Sequence, residues 1–60
     1  MTQSEIRIKK TSRGEYYFNI CAPNGYVIAS SEMYATEAAI ERSIVGLKKY
    51  IEQAVVVKQF

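Results

Sequence analysis

The sequence predicts an α+β domain built as an antiparallel meander of three strands, one helix packed on it, and a final strand. Three observations carry this. Apolar and polar residues alternate along two early segments, the apolar spacing changes to threes and fours after Thr36, and an unbroken run, Val55-Val56-Val57, follows. A chain of 60 residues makes one domain, residues 1–60, of a size that buries only about 60% of its unfolded surface. With 48% apolar and 23% charged residues it has the balance of a folded chain rather than a disordered one.

Residues 5–9 read Glu-Ile-Arg-Ile-Lys, which puts Ile6 and Ile8 on one face of a half-buried strand and Arg7 and Lys9 on the other. The polar stretch Thr11-Ser12-Arg13-Gly14-Glu15 supplies the next turn, with Gly14 free to take a positive φ. Residues 16–22, rich in aromatic side chains, form the central strand, with Tyr16, Phe18, Ile20 and Ala22 sharing a face. The five tyrosines of the chain serve mainly as core and rim residues.

Pro23-Asn24-Gly25 is the strongest local signal. Pro presets φ for a type I turn, Asn suits the next position, and Gly closes a three-residue hairpin loop in the left-handed region. That loop pairs Ala22 with Tyr26 and Ile20 with Ile28. A two-residue Asn24-Gly25 turn pairs Ala22 with Val27 instead and exchanges which of Val27 and Ile28 faces the core, so both registers stay open.

From Thr36, a suitable N-cap, Ile40, Ile44, Leu47 and Ile51 form one helical stripe, with Ala39 and Ala54 near it. Glu37 and Glu41 lie toward the positive end of the helix dipole, Lys48 and Lys49 toward the negative end. Gly46 either permits close packing or is tolerated on an exposed face at a cost of about 1 kcal/mol. The valine run suits a strand buried on both faces, or one that needs a neighbour from elsewhere.

Composition excludes much chemistry. With one cysteine and no histidine, the chain has no intrachain disulfide, no Cys/His metal set and no Ser-His pair. Neither a catalytic residue, a metal site nor a cofactor is expected. Cys21, in an apolar strand without a histidine to lower its pKa, reads as a small structural residue. Glu32 and Tyr34 form a polar pair before the helix, or Glu32 caps the helix or faces solvent. The absence of any apolar run of about 20 residues, and of a signal-peptide pattern, points to a cytoplasmic protein without a membrane partner.

Taken together, residues 16–22, Asn24-Gly25, Val27-Ile28, Ser31-Glu32, Tyr34, Ile44 and Lys48-Lys49 resemble the repeat of the YegP-like family of small uncharacterised bacterial proteins. The likeness runs from residue 5 to about residue 55 and rests on the order and spacing of these short motifs. Met33 and Ser43 stand where the family usually has Gly, Gly46 stands where Ser is common, and Tyr50-Ile51 replaces a polar or Pro-containing exit, which should lengthen the helix. The resemblance implies a strand-strand-strand-helix-strand unit, present as tandem repeats or as a homodimer with one continuous sheet and exchanged C-terminal strands. It implies no biochemical activity.

Size leads to self-association independently. Three strands and one helix leave an open edge, and Val55, Val56, Val57 and Phe60 have little to meet within one copy, so they are the candidate dimer interface. The competing arrangements are a strand folded back on its own sheet and a helix that continues through Ala54. The expected function is that of a small homodimeric structural or interaction module, with itself as partner and another protein as a further candidate. Its contact surface is the polar sheet face or the hairpin tip at Asn24-Gly25. The alternative is single-stranded RNA or DNA binding on a basic sheet face made by Arg7, Lys9, Lys10, Arg13, Tyr17 and Asn19. The charge of +2 is too small to require an anionic partner.

Overall fold

A computed structural model describes residues 3–60. Strands β1 (Glu5–Lys10), β2 (Tyr16–Cys21) and β3 (Val27–Ser30) precede helix α1 (Glu37–Gln53). The strands form one antiparallel sheet in the order β1-β2-β3, so the aromatic strand is central as its sequence requires.

Both turns follow from their side chains. The Thr11 hydroxyl accepts hydrogen bonds from the Arg13 and Glu15 amides, and Gly14, at φ +87°, lets the chain return into β2. In the second hairpin the Gly25 amide donates to the Ala22 carbonyl at 2.9 Å and the Ala22 amide to the Tyr26 carbonyl at 2.8 Å. Asn24 Oδ1 accepts from the Tyr26 amide, and Gly25 lies at φ +88°. The three-residue loop is therefore the one that forms, and Ala22 meets Tyr26. The second half of that register is corrected: Cys21 pairs with Val27 and Ile20 with Ala29, which leaves Ile28 as the extra residue of a β-bulge.

Beyond β3 the chain stays on β2. The Ser31 amide donates to the Phe18 carbonyl, the Phe18 amide donates to Ser31 Oγ, and Tyr16 and Tyr34 exchange two backbone bonds. Glu32 is exposed, and Tyr34 is not its partner: the Tyr34 hydroxyl shares a 2.6 Å hydrogen bond with Ser43. Helix capping falls to Thr36, whose hydroxyl accepts from the Ala39 amide.

Helix α1 ends at Gln53, with Ala54 as an extended C-cap (φ −74°, ψ 145°). Its last turn holds no basic residue, so Lys48 and Lys49 sit a turn further from the negative end than their spacing suggested. Residues 54–60 form no element and lie exposed. The final strand is thus not formed within one copy, and neither fold-back pairing nor helical continuation takes its place. A Cβ added at Gly46 would meet only the Tyr50 ring, at 3.5 Å, so the glycine serves no close helix–sheet contact.

The core is small. Phe18, Cys21 and Ile40 are the buried apolar residues, and none of the tyrosines is buried. Phe18 stacks with Tyr34 at 6.4 Å between ring centres. Helix α1 crosses over β2 alone, and no Cα of β1 or β3 comes within 8 Å of its own. No helix among the described residues is long and apolar enough to cross a membrane.

Candidate functional site

Two surfaces carry what chemistry this chain has: the sheet face turned away from α1, and the cleft between the sheet and the C-terminal half of α1. The first is set by strand parity. Glu5 lies opposite Cys21, Arg7 opposite Asn19, and Lys9 opposite Tyr17, while Asn19 in turn meets Ser30 on β3. The Ser30 hydroxyl donates to Asn19 Oδ1 at 2.7 Å, which leaves the Asn19 amide hydrogens for other acceptors.

Charge on this face is partly cancelled. Glu5 Oε1 accepts from Arg7 Nε at 2.7 Å, between side chains that are both about half exposed. That hydrogen bond, then the nearby Cys21 thiol and the Glu5 charge, hold the Arg7 guanidinium above its ordinary pKa. Arginine stays protonated throughout the working range, so the shift brings no pH dependence.

Structure divides the six residues of the basic patch. Arg7, Lys9, Tyr17 and Asn19 share the open face. Lys10 does not join them: it has the parity of Ile6 and Ile8, and its ammonium lies 5.3 Å from the centre of the Tyr16 ring, on the other side of the sheet. Arg13 stands exposed in the turn after β1. The parity that misplaced Lys10 was present in the sequence, since residues 6, 8 and 10 must point the same way.

The second surface is apolar. Ile6, Ile8, Ile20 and Ile44 line a cleft of about 610 Å³ on the β1 side, with Glu5, Glu41 and Lys48 at its border. Toward β3 it continues into a space of about 350 Å³ between Ile6, Ile20, Ile28 and Ala29 of the sheet and Leu47, Lys48 and Ile51 of α1. Exposure along the helical stripe explains the shape. Ile40 is fully covered, Ile44 and Leu47 are half-buried, and Ile51 is 62% exposed. The candidate interface residues lie just beyond: Val55, Val56, Val57 and Phe60 are all exposed, Val56 at 92%.

Among the described residues no three of Cys, Asp and Glu come together as a metal site. Cys21 is fully buried, so its thiol is shielded from reagents in solvent.

A model of the family described as a domain of unknown function, DUF1508, matches residues 12–57. The chain is similar to the UPF0339 protein YegP of Yersinia pestis, with 44% identity over 48 residues, which are 80% of this chain and 43% of that protein. It is 51% identical over 44 residues to the UPF0339 protein plu2779 of Photorhabdus laumondii, covering 73% of this chain and 39% of that one. To YegP of Escherichia coli K12 it is 47% identical over 47 residues, 77% of this chain and 43% of the relative. The chain thus spans about two fifths of the length of these curated relatives. No solved structure matches it.

Proposed function

This chain belongs to the YegP-like DUF1508 family of domains of unknown function, and we propose that it works as a small homodimeric structural or interaction module, with no catalytic role. Uncovered surface is the observation that carries the proposal. A compact monomer of 6.8 kDa exposes about 3950 Å², whereas this chain exposes 5055 Å². The surplus, about 1100 Å², exceeds the roughly 800 Å² that one partner contributes to a standard protein interface. Much of it is apolar and lies in two neighbouring places, the cleft beneath α1 and residues 55–57.

A second copy relieves both at once. Exchange of the C-terminal strands lets Val55, Val56, Val57 and Phe60 of each chain enter the other, and joins the two sheets into one. In family members with tandem repeats, a second repeat in the same polypeptide would stand where the second copy stands here. The dimer then offers the polar sheet face and the Asn24-Gly25 hairpin tips to another protein. Removal of residues 55–60 tests the reading: the shortened chain is expected to lose cooperative unfolding by circular dichroism and any dimer in sedimentation. A shortened chain that unfolds like the intact one would refute it.

Nucleic-acid binding is the second reading, favoured by one observation. Ser30 fixes Asn19 with its amide hydrogens free, in a row with Arg7 and beside Lys9 and Tyr17. Those groups suit a phosphate and a stacked base. Glu5 on Arg7 and the removal of Lys10 to the other side weaken the field. A labelled single-stranded RNA that shifts at low salt and is released as salt rises would support it. No shift at low salt would end it.

A further inference from the structure

We propose that Arg7 and Lys9 form a short track for two consecutive phosphates of a single nucleic-acid strand, and that Glu5 ends this track and holds its affinity down. The inference rests on the nucleic-acid reading above. It adds which charges meet the backbone, where the contact stops and which carboxylate sets its strength.

The track follows from strand geometry. On the open face β1 presents Glu5, Arg7 and Lys9 in succession, all exposed, each about 7 Å from the next. That step is close to one nucleotide of an extended strand, so two neighbouring phosphates can each meet one cation. Strand β2 completes the rows. Asn19 lies opposite Arg7 and Tyr17 opposite Lys9, at the roughly 5 Å that separates paired side chains. The Asn19 amide, oriented by the Ser30 hydroxyl, turns N–H groups toward an acceptor beside the guanidinium. Tyr17, half-buried, offers a ring to a base next to the Lys9 ammonium. An acidic peptide also satisfies two cations, but it brings no flat group to that ring, so the nucleotide strand is the better fit.

At Glu5 the sign of the charge changes. Glu5 Oε1 accepts from Arg7 Nε at 2.7 Å. A guanidinium has five N–H groups, and those on the two Nη atoms make no hydrogen bond among the described residues. Arg7 can therefore keep Glu5 and still take a phosphate oxygen. The cost is electrostatic: the carboxylate stands beside the bound phosphate, and a third phosphate continuing along β1 falls on Glu5 itself. An exposed ion pair of this kind holds the arginine only weakly, so repulsion outweighs any gain from fixing the side chain.

Lys10 supplies the control. It follows Lys9 directly, is exposed and carries the same charge, yet its ammonium lies over the Tyr16 ring on the other side of the sheet. Binding governed by net charge treats the two lysines alike, and binding on the track does not.

Fluorescence anisotropy with a labelled oligouridylate at low salt tests the track. Glu5→Gln, which keeps an oxygen to accept from Arg7, is expected to tighten binding by about twofold to fivefold. Arg7→Gln and Lys9→Gln are each expected to weaken it several-fold and to lower the log–log salt slope by about 0.7. Lys10→Gln is expected to leave both values unchanged. Equal losses from Lys9→Gln and Lys10→Gln, or no gain from Glu5→Gln, would overturn the inference while leaving nucleic-acid binding standing. A labelled oligoglutamate bound as tightly as the oligouridylate would overturn the assignment to a phosphate backbone. Absence of oligouridylate binding by the unsubstituted chain and by every variant would remove the nucleic-acid reading and the track together.

Discussion

The two halves of α1 cross the same sheet and meet different surroundings. Thr36 caps the first turn, Ile40 is fully covered, and Tyr34 reaches from the preceding loop to Ser43 while stacking on Phe18. Three turns later the same apolar stripe ends at Ile51, 62% exposed above Ile20 and Ile28, with nothing of its own chain between them. The closed end is assembled from a local cap, an aromatic pair and a hydroxyl bridge. The open end has an apolar lining and no filling. A small chain can complete one end of a helix–sheet contact from its own residues and leave the other uncovered.

Substitutions at the two ends should separate these cases. The largest effect is expected from Ile40→Ala, which empties a fully buried site and should cost about 3 kcal/mol in urea unfolding. In a domain whose total stability is of order 5–15 kcal/mol, that is a large share. Ile51→Ala is next. At a bare, exposed site it would change stability by less than about 0.5 kcal/mol. Covered by a partner, it should cost about 2 kcal/mol, and the loss should appear as a unfolding midpoint that rises with protein concentration. Equal, negligible costs at both concentrations would mean that the open end stays open.

The smallest effect has the opposite sign. Gly46→Ala should stabilise the protein by about 1 kcal/mol, because a Cβ there meets only the Tyr50 ring at 3.5 Å. A measured loss would place a partner's backbone against the outer side of α1 and move the interface away from the cleft.

The closed end was legible in part, for physical reasons. Strand alternation, the Pro23-Asn24-Gly25 loop and the Thr36 cap act over a few residues, so sequence states them directly. The bulge at Ile28 was hidden because it depends on how β3 fits against β2, and the loop alone carries β3 in register only as far as Val27. Ser31 was singled out only as part of a motif, and Tyr34 also as a polar partner of Glu32. Their bonds to Phe18, Tyr16 and Ser43 span 9 to 18 positions and leave no periodic trace. The basic patch was legible in composition and misread in direction, since period-two counting sends Lys10 to the side of Tyr16. Val55, Val56 and Val57 announced a strand, and residues 54–60 form none within the single copy.

Equilibrium sedimentation of the intact chain at micromolar concentration tests the dimer most directly. A species of twice the 6.8 kDa chain mass is the predicted result, shifting toward the single chain only on dilution. A single 6.8 kDa species that unfolds cooperatively at every concentration would contradict it.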